Sequence, residues 1–437
     1  MAEIRIDFSK QMNNGIFFDP AYLETLRSQF SYVDSDPVYG KRMFFDNSGG
    51  ALRLKRCVEA KARLELYPDC PERTHECAQD LKKIVLDGMR DIMEIVFGAK
   101  SGAIITELTA SQTMFHMVEL IMENVPGTNA VVSVLEHPSA FDAVDYFCGK
   151  TGKELRVIPA DPATGGIDPD AAADLVDENT CLLSVMAASN LTGVNMDLAA
   201  IVRKARAKKP GLHIISDAVQ YAPHCAMNAE ALELDGMNFA PYKFFGVRGC
   251  GFAWVSERVA RLPHRKLILK DPEVFELGTS APGNFLAAEE IIDYAAEIGQ
   301  HYIGKASRRE MYLEGMKRIH LHERALLHRM LEGTEEIPGL RHIPGVEVYC
   351  DAGELTTRDL IAAIGFAGKG PAECVEEYKK RGIIVCDRLN TSMYAKRIVE
   401  ALGLTGAIRV SPLHCHGTED IDAFLRVTAE MAKDFAQ

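Results

Sequence analysis

Residues 212–220 read LHIISDAVQ, and residues 180–189 read TCLLSVMAAS. Each stretch is a short apolar run that ends in polar residues, which is typical of a strand buried on both faces of a sheet. Two similar runs, VVSVLEH at 131–137 and ELRVIPA at 154–160, precede them. These runs therefore predict neighbouring strands of one buried sheet.

Amphipathic segments separate the apolar runs. FDAVDYFCG at 141–149, DAAADLV at 170–176 and DLAAIVRKARAK at 197–208 are each predicted to be helices. Strands that alternate with helices are typical of βαβ units, in which helices cover both faces of a parallel sheet. We therefore predict an α/β fold with a mostly parallel sheet.

The alternation weakens after about residue 290. Two long helical segments, 286–299 and 307–331, lead into a final stretch of mixed helix and strand. We therefore divide the chain into an N-terminal segment of residues 1–43, a large domain of residues 44–290 and a small C-terminal domain of residues 291–437.

The composition is that of a globular protein rather than a disordered or fibrous one. The 437 residues are 47% hydrophobic, and 62 Asp and Glu outnumber 49 Lys and Arg, for a net charge of −13. An acidic chain without a run of basic residues is not expected to bind nucleic acid or an anionic membrane. Chemistry on a small molecule is therefore the favoured function.

Signals for export, membrane insertion and metal binding are absent from the sequence. The N-terminus lacks the basic and apolar segments of a secretory signal, and no apolar stretch is long enough to span a membrane. The 11 cysteines are scattered singly, which favours reduced thiols over a disulfide scaffold. His414, Cys415 and His416 lack a second ligand pair at zinc-site spacing. We therefore expect a cytoplasmic protein without a metal.

Four polar residues follow predicted strands at the spacing of βα units. His137, Asn190, Asp217 and Lys243 are 53, 27 and 26 residues apart. Residues at the carboxyl ends of parallel strands meet at one sheet edge, where open α/β folds bind ligands. An imidazole, an amide, a carboxylate and a lysine suggest a cofactor with a ring, a basic nitrogen and a carbonyl. Pyridoxal phosphate fits that description.

Several segments resemble the class V aminotransferase family of pyridoxal-phosphate enzymes, which includes cysteine desulfurases and selenocysteine lyases. They occur in the family's order from about residue 44 to about residue 425: FFDNSGG (44–50), SNLTGVNMDL (189–198), IISDAVQYAPH (214–224), FAPYKFFGVRGCGFAWV (239–255), FELGTSAPGNF (275–285) and IRVSPLHCHGTEDID (408–422). The resemblance implies the type I fold of such enzymes, with a mostly parallel seven-stranded sheet in a large domain and a smaller α+β C-terminal domain.

The resemblance also implies roles around the cofactor ring. Lys243 would hold the cofactor through a Schiff base and later move the substrate α-proton. Asp217 would bind the pyridinium nitrogen, and Gln220 would donate to the phenolic oxygen. His137 would stack on the ring face and is a candidate acid, while Asn190 would lie near the substrate and the phenolic oxygen.

The cofactor phosphate needs backbone N–H groups at a helix N-terminus, together with hydroxyl groups. LTASQT at 108–113 precedes a predicted helix and offers Thr109, Ala110 and Ser111. The residue before the lysine is often His in related desulfurases, whereas Tyr242 stands there in this chain, so we consider its hydroxyl a substitute phosphate contact.

The remaining family positions concern the partner subunit and the substrate. Gly278 and Thr279 match a pair that reaches the phosphate of the neighbouring subunit, which implies a homodimer with shared active sites. Arg409 matches the arginine that binds the α-carboxylate of an amino acid substrate, and Asn47 is a candidate for lining the substrate pocket.

One family feature is missing. Desulfurases carry a nucleophilic cysteine in a loop before the carboxylate-binding arginine, but Thr391 stands at that position, and the nearby Cys386 and Cys415 are candidates for a displaced nucleophile. We favour a lyase that cleaves a C–S or C–Se bond, because elimination does not strictly need the thiol. An aminotransferase or an isomerase similar to isopenicillin N epimerase is the alternative, and a non-catalytic binding protein of this fold is a remote one.

Overall fold

A computed structural model describes residues 18–351 and 355–437. Its strands are β1 (Ser35–Asp36), β2 (Gly40–Lys41), β3 (Met43–Phe44), β4 (Ala103–Glu107), β5 (Asn129–Ser133), β6 (Glu154–Ile158), β7 (Thr180–Ser184), β8 (His213–Asp217), β9 (Gly236–Phe239), β10 (Gly251–Val255), β11 (Val346–Tyr349), β12 (Ala362–Phe366), β13 (Ile383–Ile384), β14 (Cys386–Leu389) and β15 (Gly406–Val410).

The α-helices of the described residues separate these strands. They are α1 (Pro20–Arg27), α2 (Lys55–Leu64), α3 (Glu76–Asp91), α4 (Ala110–Asn124), α5 (Pro138–Thr151), α6 (Pro169–Asp174), α7 (Leu198–Lys208), α8 (Glu257–Ala260), α9 (Pro282–Ile303), α10 (Arg308–Glu332), α11 (Pro371–Lys380), α12 (Lys396–Ala401) and α13 (Thr418–Phe435).

The predicted mostly parallel sheet is confirmed. Seven strands lie in the order β4-β10-β9-β8-β7-β5-β6, and β10 runs antiparallel to both of its neighbours. The reversal of β10 follows from its connection, because residues 240–250 join β9 to β10 by turns without a crossover helix. A parallel connection needs a longer crossover, usually a helix. The same short loop carries Lys243.

A second sheet forms the smaller layer of the molecule. Its four strands, β11-β12-β15-β14, are all antiparallel. Helix α10 joins the two parts of the fold: Met316 belongs to the core of the large sheet, and Leu326 belongs to the core of the small one.

The predicted division into three segments stays a prediction. Its boundary at residue 290 falls within α9. Of the N-terminal segment 1–43, residues 1–17 lie outside the described residues. In the described part of the chain, no helix has both the length and the apolar character needed to cross a membrane.

Candidate active site

A cavity of about 210 Å³ opens beyond the carboxyl ends of the parallel strands. Nine of the residues singled out from the sequence line it: Thr109, Ala110, Ser111, His137, Asn190, Asp217, Gln220, Tyr242 and Lys243. The four residues predicted to follow strands meet in this cavity because β5, β7, β8 and β9 are parallel neighbours in the sheet. They are His137, Asn190, Asp217 and Lys243.

Lys243 lies in the turn that follows β9, where its backbone N–H donates to the carbonyl of Ala240 at 3.0 Å. Burial and the nearby Arg409 guanidinium lower the pKa of its amine to about 8, although Asp217 opposes the shift. A lysine with a pKa near 8 is partly neutral at physiological pH, so it can act as a nucleophile or a base.

Asp217 is the last residue of β8 and is only 7% exposed. Burial raises the pKa of its carboxyl group. A hydrogen bond of 3.0 Å from the Val219 backbone N–H and the charge of Lys243 lower that pKa. A buried carboxylate of this kind gains stability from a cationic or N–H partner brought by a ligand.

His137 caps the N-terminus of α5, and its Nδ1 accepts the Ser139 backbone N–H at 3.1 Å. Burial, followed by the charges of Lys243 and Arg388, lowers the pKa of His137 to about 3. The ring is therefore neutral near pH 7 and carries its proton on Nε2. Its planar face is suited to stacking on a flat ligand.

The side chain of Gln220 is oriented by a buried ion pair that the sequence did not reveal. Nδ1 of His224 lies 2.7 Å from Oε2 of Glu323, and Nε2 of His224 lies 3.4 Å from the Gln220 amide. Burial lowers the pKa of His224, but Glu323 outweighs it and raises the pKa to about 9. A protonated His224 donates from both nitrogens. The Gln220 amide must therefore turn its oxygen toward His224 to accept this hydrogen bond. In that orientation its NH₂ group is left for the cavity.

The first residues of helix α4 also line the cavity. The Thr109 hydroxyl caps this helix by accepting the Gln112 N–H at 3.2 Å, which leaves the backbone N–H groups of Ala110 and Ser111 without a partner among the described residues. Such a helix N-terminus favours an anion. Arg248 also lines this cavity and lies 4.2 Å from the ring centroid of Tyr242.

Arg409 lies on β15 and is 3% exposed; it is not among the residues that line the cavity, although its charge acts on Lys243. Its Nη1 donates to the Asn190 carbonyl at 3.0 Å, and its Nη2 pairs with Asp46 at 2.7 Å. Its Nε is buried without a partner among the described residues. Among the described residues, the Asn47 side-chain amide forms hydrogen bonds only with backbone groups. It donates to the Ser411 carbonyl at 2.9 Å and accepts from the Leu52 N–H at 3.0 Å.

Gly278 and Thr279 do not join the cavity of their own chain. They lie in an exposed loop between α8 and α9, where the Thr279 hydroxyl is 3.8 Å from the Cys70 thiol. Apolar side chains earlier in the same loop are also exposed, among them Ile268 at 93% and Leu269 at 98%.

The candidate thiols lie in apolar or half-buried positions. Cys386 is on β14 opposite Arg409, and burial raises its pKa. Cys415 is fully buried, and burial raises its pKa far above the ordinary value. Thr391, at the usual nucleophile position, is exposed in a turn. Neither thiol has the lowered pKa that marks a reactive cysteine.

One further cluster could offer metal ligands. Cys225, His320 and Asp359 place donor atoms within 4.8 Å of one another. The Cys225 thiol already donates to Asp359 at 3.6 Å, and the Asn195 amide donates to the same oxygen at 3.2 Å. Hydrogen bonds therefore account for the arrangement of this cluster. The absence of a metal stays a prediction.

Three further functional candidates are Arg248, Glu323 and Arg388, none of which was predicted from the sequence. Arg248 follows Lys243 by five residues within FAPYKFFGVRGCGFAWV, so its closeness to the cavity could be predicted from the spacing. The signals for Glu323 and Arg388 are tertiary, because both reach the site from elements outside the large sheet.

Known proteins resemble this chain in sequence. The family model for class V aminotransferases matches residues 43–424. A cysteine desulfurase of Cronobacter sakazakii is 27% identical over 350 residues, covering 73% of this chain and 79% of the relative. A cysteine desulfurase of Shigella sonnei is 26% identical over 340 residues, with the same coverage of 73% and 79%.

Solved structures share the fold. A cysteine desulfurase from Thermococcus onnurineus has a TM-score of 0.76 at 22% identity, over 94% of this chain and 98% of its own. The cysteine desulfurase CsdA of Escherichia coli has a TM-score of 0.75 at 19% identity, over 96% and 99% of the two chains. Since the family match spans most of the sequence and the fold agrees, the chain belongs to the class V aminotransferase family.

Proposed function

We propose that this protein is a pyridoxal-phosphate enzyme that cleaves the C–S bond of cysteine or a similar β-substituted amino acid. The observation that carries the proposal is the buried Lys243, with a pKa of about 8, in one cavity with Asp217 and His137. The relatives named cysteine desulfurases support the reaction class.

The cavity residues fit the cofactor. Oδ1 of Asn190 is buried without a partner among the described residues, and the Gln220 NH₂ group is left for the cavity when its oxygen faces His224, so both amides have unused hydrogen-bonding capacity. Asp217 would hold the N–H of the pyridine nitrogen, His137 would support the ring face, and the α4 N-terminus would bind the phosphate. Tyr242 and Arg248 are further candidates near that phosphate.

When bound, pyridoxal phosphate supplies an electron sink for charge at the substrate α-carbon. Lys243 would bond to the cofactor aldehyde and, after substrate replaces it, carry the α-proton. Arg409 would hold the α-carboxylate with its open Nε, while Asp46 and the Asn190 carbonyl fix the guanidinium. The neutral His137 suits a stacking role better than an acid role.

We propose that the enzyme is a cytoplasmic homodimer with shared active sites. The exposed Gly278 and Thr279 would reach the phosphate of the partner subunit. The exposed apolar residues 267–269 and Leu277, close in sequence, support an interface there. Sedimentation velocity at micromolar concentration should give twice the mass of one chain, and a monomer with full activity would contradict shared sites.

The proposed reaction is tested by recording the visible spectrum before and after adding L-cysteine, with sulfide, alanine and pyruvate measured together. Sulfide with pyruvate indicates β-elimination, and sulfide with alanine indicates desulfuration through a thiol acceptor. The exposed Thr391 at the nucleophile position favours a second candidate, an aminotransferase or epimerase on the same cofactor. Cofactor absorbance without sulfide would support that alternative, and no cofactor binding would overturn both.

We expect Cys386→Ser and Cys415→Ser to change turnover by less than about threefold, because burial raises the pKa of both thiols. Sulfide release from L-cysteine is the measurement, and exposed Cys77→Ser is the matched control. A loss of about a thousandfold in either variant, on the order of 4 kcal/mol of barrier, would identify a nucleophile instead.

We expect Arg409→Ala to raise the KM for amino acids by about tenfold or more, since it removes a charge-assisted bond to the α-carboxylate. Asp46→Asn keeps the arginine and removes only its ion pair. This variant therefore distinguishes the loss of carboxylate binding by Arg409 from the loss of the ion pair that positions its guanidinium. Thermal unfolding of both variants is measured alongside the kinetics. An unchanged KM in a folded Arg409→Ala variant would move the carboxylate site elsewhere.

A further inference from the structure

Arg388 lies on the same face of the small sheet as the proposed carboxylate clamp. Cys386 of β14 is directly opposite Arg409 of β15 in the antiparallel register. Side chains alternate along a strand, so Arg388, two residues after Cys386, points to the same side as Arg409. Two guanidinium groups therefore lie on one face of the small sheet, and the charge of each lowers the pKa of Lys243 in the cavity.

Arg388 is also electrostatically close to the centre of the cavity. Its charge lowers the pKa of both His137 and Lys243. Its Nη2 donates to the Tyr394 carbonyl at 2.9 Å, and the Tyr394 ring lies 6.2 Å from the His137 ring in a stacked orientation. The Arg388 side chain is thus held by a residue whose ring contacts the cavity residue His137.

No carboxylate of the described residues forms a hydrogen bond with Arg388, and its Nε is buried without a partner there. Arg409, by contrast, is paired with Asp46. Burial and the charge of Arg409 lower the pKa of Arg388 to about 10, although the charges of Asp46 and Asp387 oppose the shift. A partly buried guanidinium whose Nε has no hydrogen-bond partner is unfavourable, and a ligand that supplies an anion there removes that penalty.

The arginine fork suits a planar carboxylate or another oxyanion. Because Arg409 has its own open Nε for the α-carboxylate, Arg388 is available for a second anion. We propose that Arg388 binds an anionic group at the end of the substrate side chain, so that the substrate is an amino acid with an acidic side chain. This inference rests on the proposed function and narrows its substrate from cysteine itself to an anionic β-substituted amino acid.

Calorimetry with unreactive acids tests the subsite without turnover. Butyrate carries one anion, whereas succinate and 3-sulfopropionate carry two, the second being a carboxylate or a sulfur oxyanion. We expect the cofactor-loaded wild type to bind at least one of the two dianions about tenfold or more tightly than butyrate, and the better one identifies the anion class. Arg388→Met should abolish this preference and leave butyrate binding unchanged.

Two variants control for folding and charge. Arg388→Lys keeps the charge but loses the fork, so it should retain only part of the preference. Arg381→Met removes an arginine of the small domain that is already paired with Glu377 and Asp434, and it should behave as the wild type.

Three results would overturn the inference: no preference for a dianion in the wild type, an Arg388→Met variant that keeps the preference, or equal weakening of butyrate and the dianions. Failure of the proposed lyase function is a separate result. It would appear as the absence of both pyruvate and alanine after incubation with cysteine or with anionic β-substituted substrates, while a dianion preference that depends on Arg388 would still stand.

Discussion

Lys243→Ala should lose covalent attachment of pyridoxal phosphate and at least about a thousandfold in turnover, on the order of 4 kcal/mol of barrier. The variant removes the amine that bonds to the cofactor and carries the α-proton, and no other lysine lines the cavity among the described residues. The visible spectrum and mass of the borohydride-treated protein measure attachment. Turnover is assayed with saturating cofactor.

The matched control is Lys305→Ala, which changes an exposed lysine between α9 and α10. It should retain wild-type absorbance and activity. Circular dichroism of Lys243→Ala should match the wild type, because removing a buried amine relieves desolvation. Normal turnover in the Lys243→Ala variant would refute the assignment of this site.

The lowered pKa of Lys243 also predicts how the apoenzyme takes up cofactor. Only the neutral amine attacks an aldehyde, so the rate should rise with pH and level off above about 8, the pKa of Lys243. An ordinary lysine, with its pKa near 10.5, would give a rate still rising at pH ~9.

Asp217→Asn should keep the cofactor attached and lower turnover by about a thousandfold. The neutral amide no longer stabilises a proton on the pyridine nitrogen, so the ring becomes a weaker electron sink. The amide oxygen can still accept the Val219 N–H, and burial disfavours the charged carboxylate at this position, so the unfolding temperature should not fall. The retained absorbance distinguishes this variant from Lys243→Ala.

Asp174→Asn is a control for the loss of an acidic residue, because Asp174 is an exposed carboxylate at the end of α6. Its spectrum and turnover should equal those of the wild type. If Asp217→Asn stayed within about twofold of wild-type turnover, Asp217 would be a structural turn residue rather than the partner of the ring nitrogen.

The sequence by itself was sufficient for the sheet and for the centre of the candidate site. Buried parallel strands are continuous apolar runs, and regular βα spacing brings His137, Asn190, Asp217 and Lys243 to one edge. The sequence also showed that Thr391 replaces the nucleophilic cysteine of related desulfurases, because this difference depends only on which residue stands at that position.

Only the tertiary structure decided which charges face one another. Arg409 and its partner Asp46 are 363 residues apart, and His224 and Glu323 are 99 apart. Strand and helix periodicity describes neighbours within one βα unit, whereas these pairs join separate layers of the fold. Burial, which lowers the pKa of both Lys243 and Arg388, likewise depends on the packing of the whole chain.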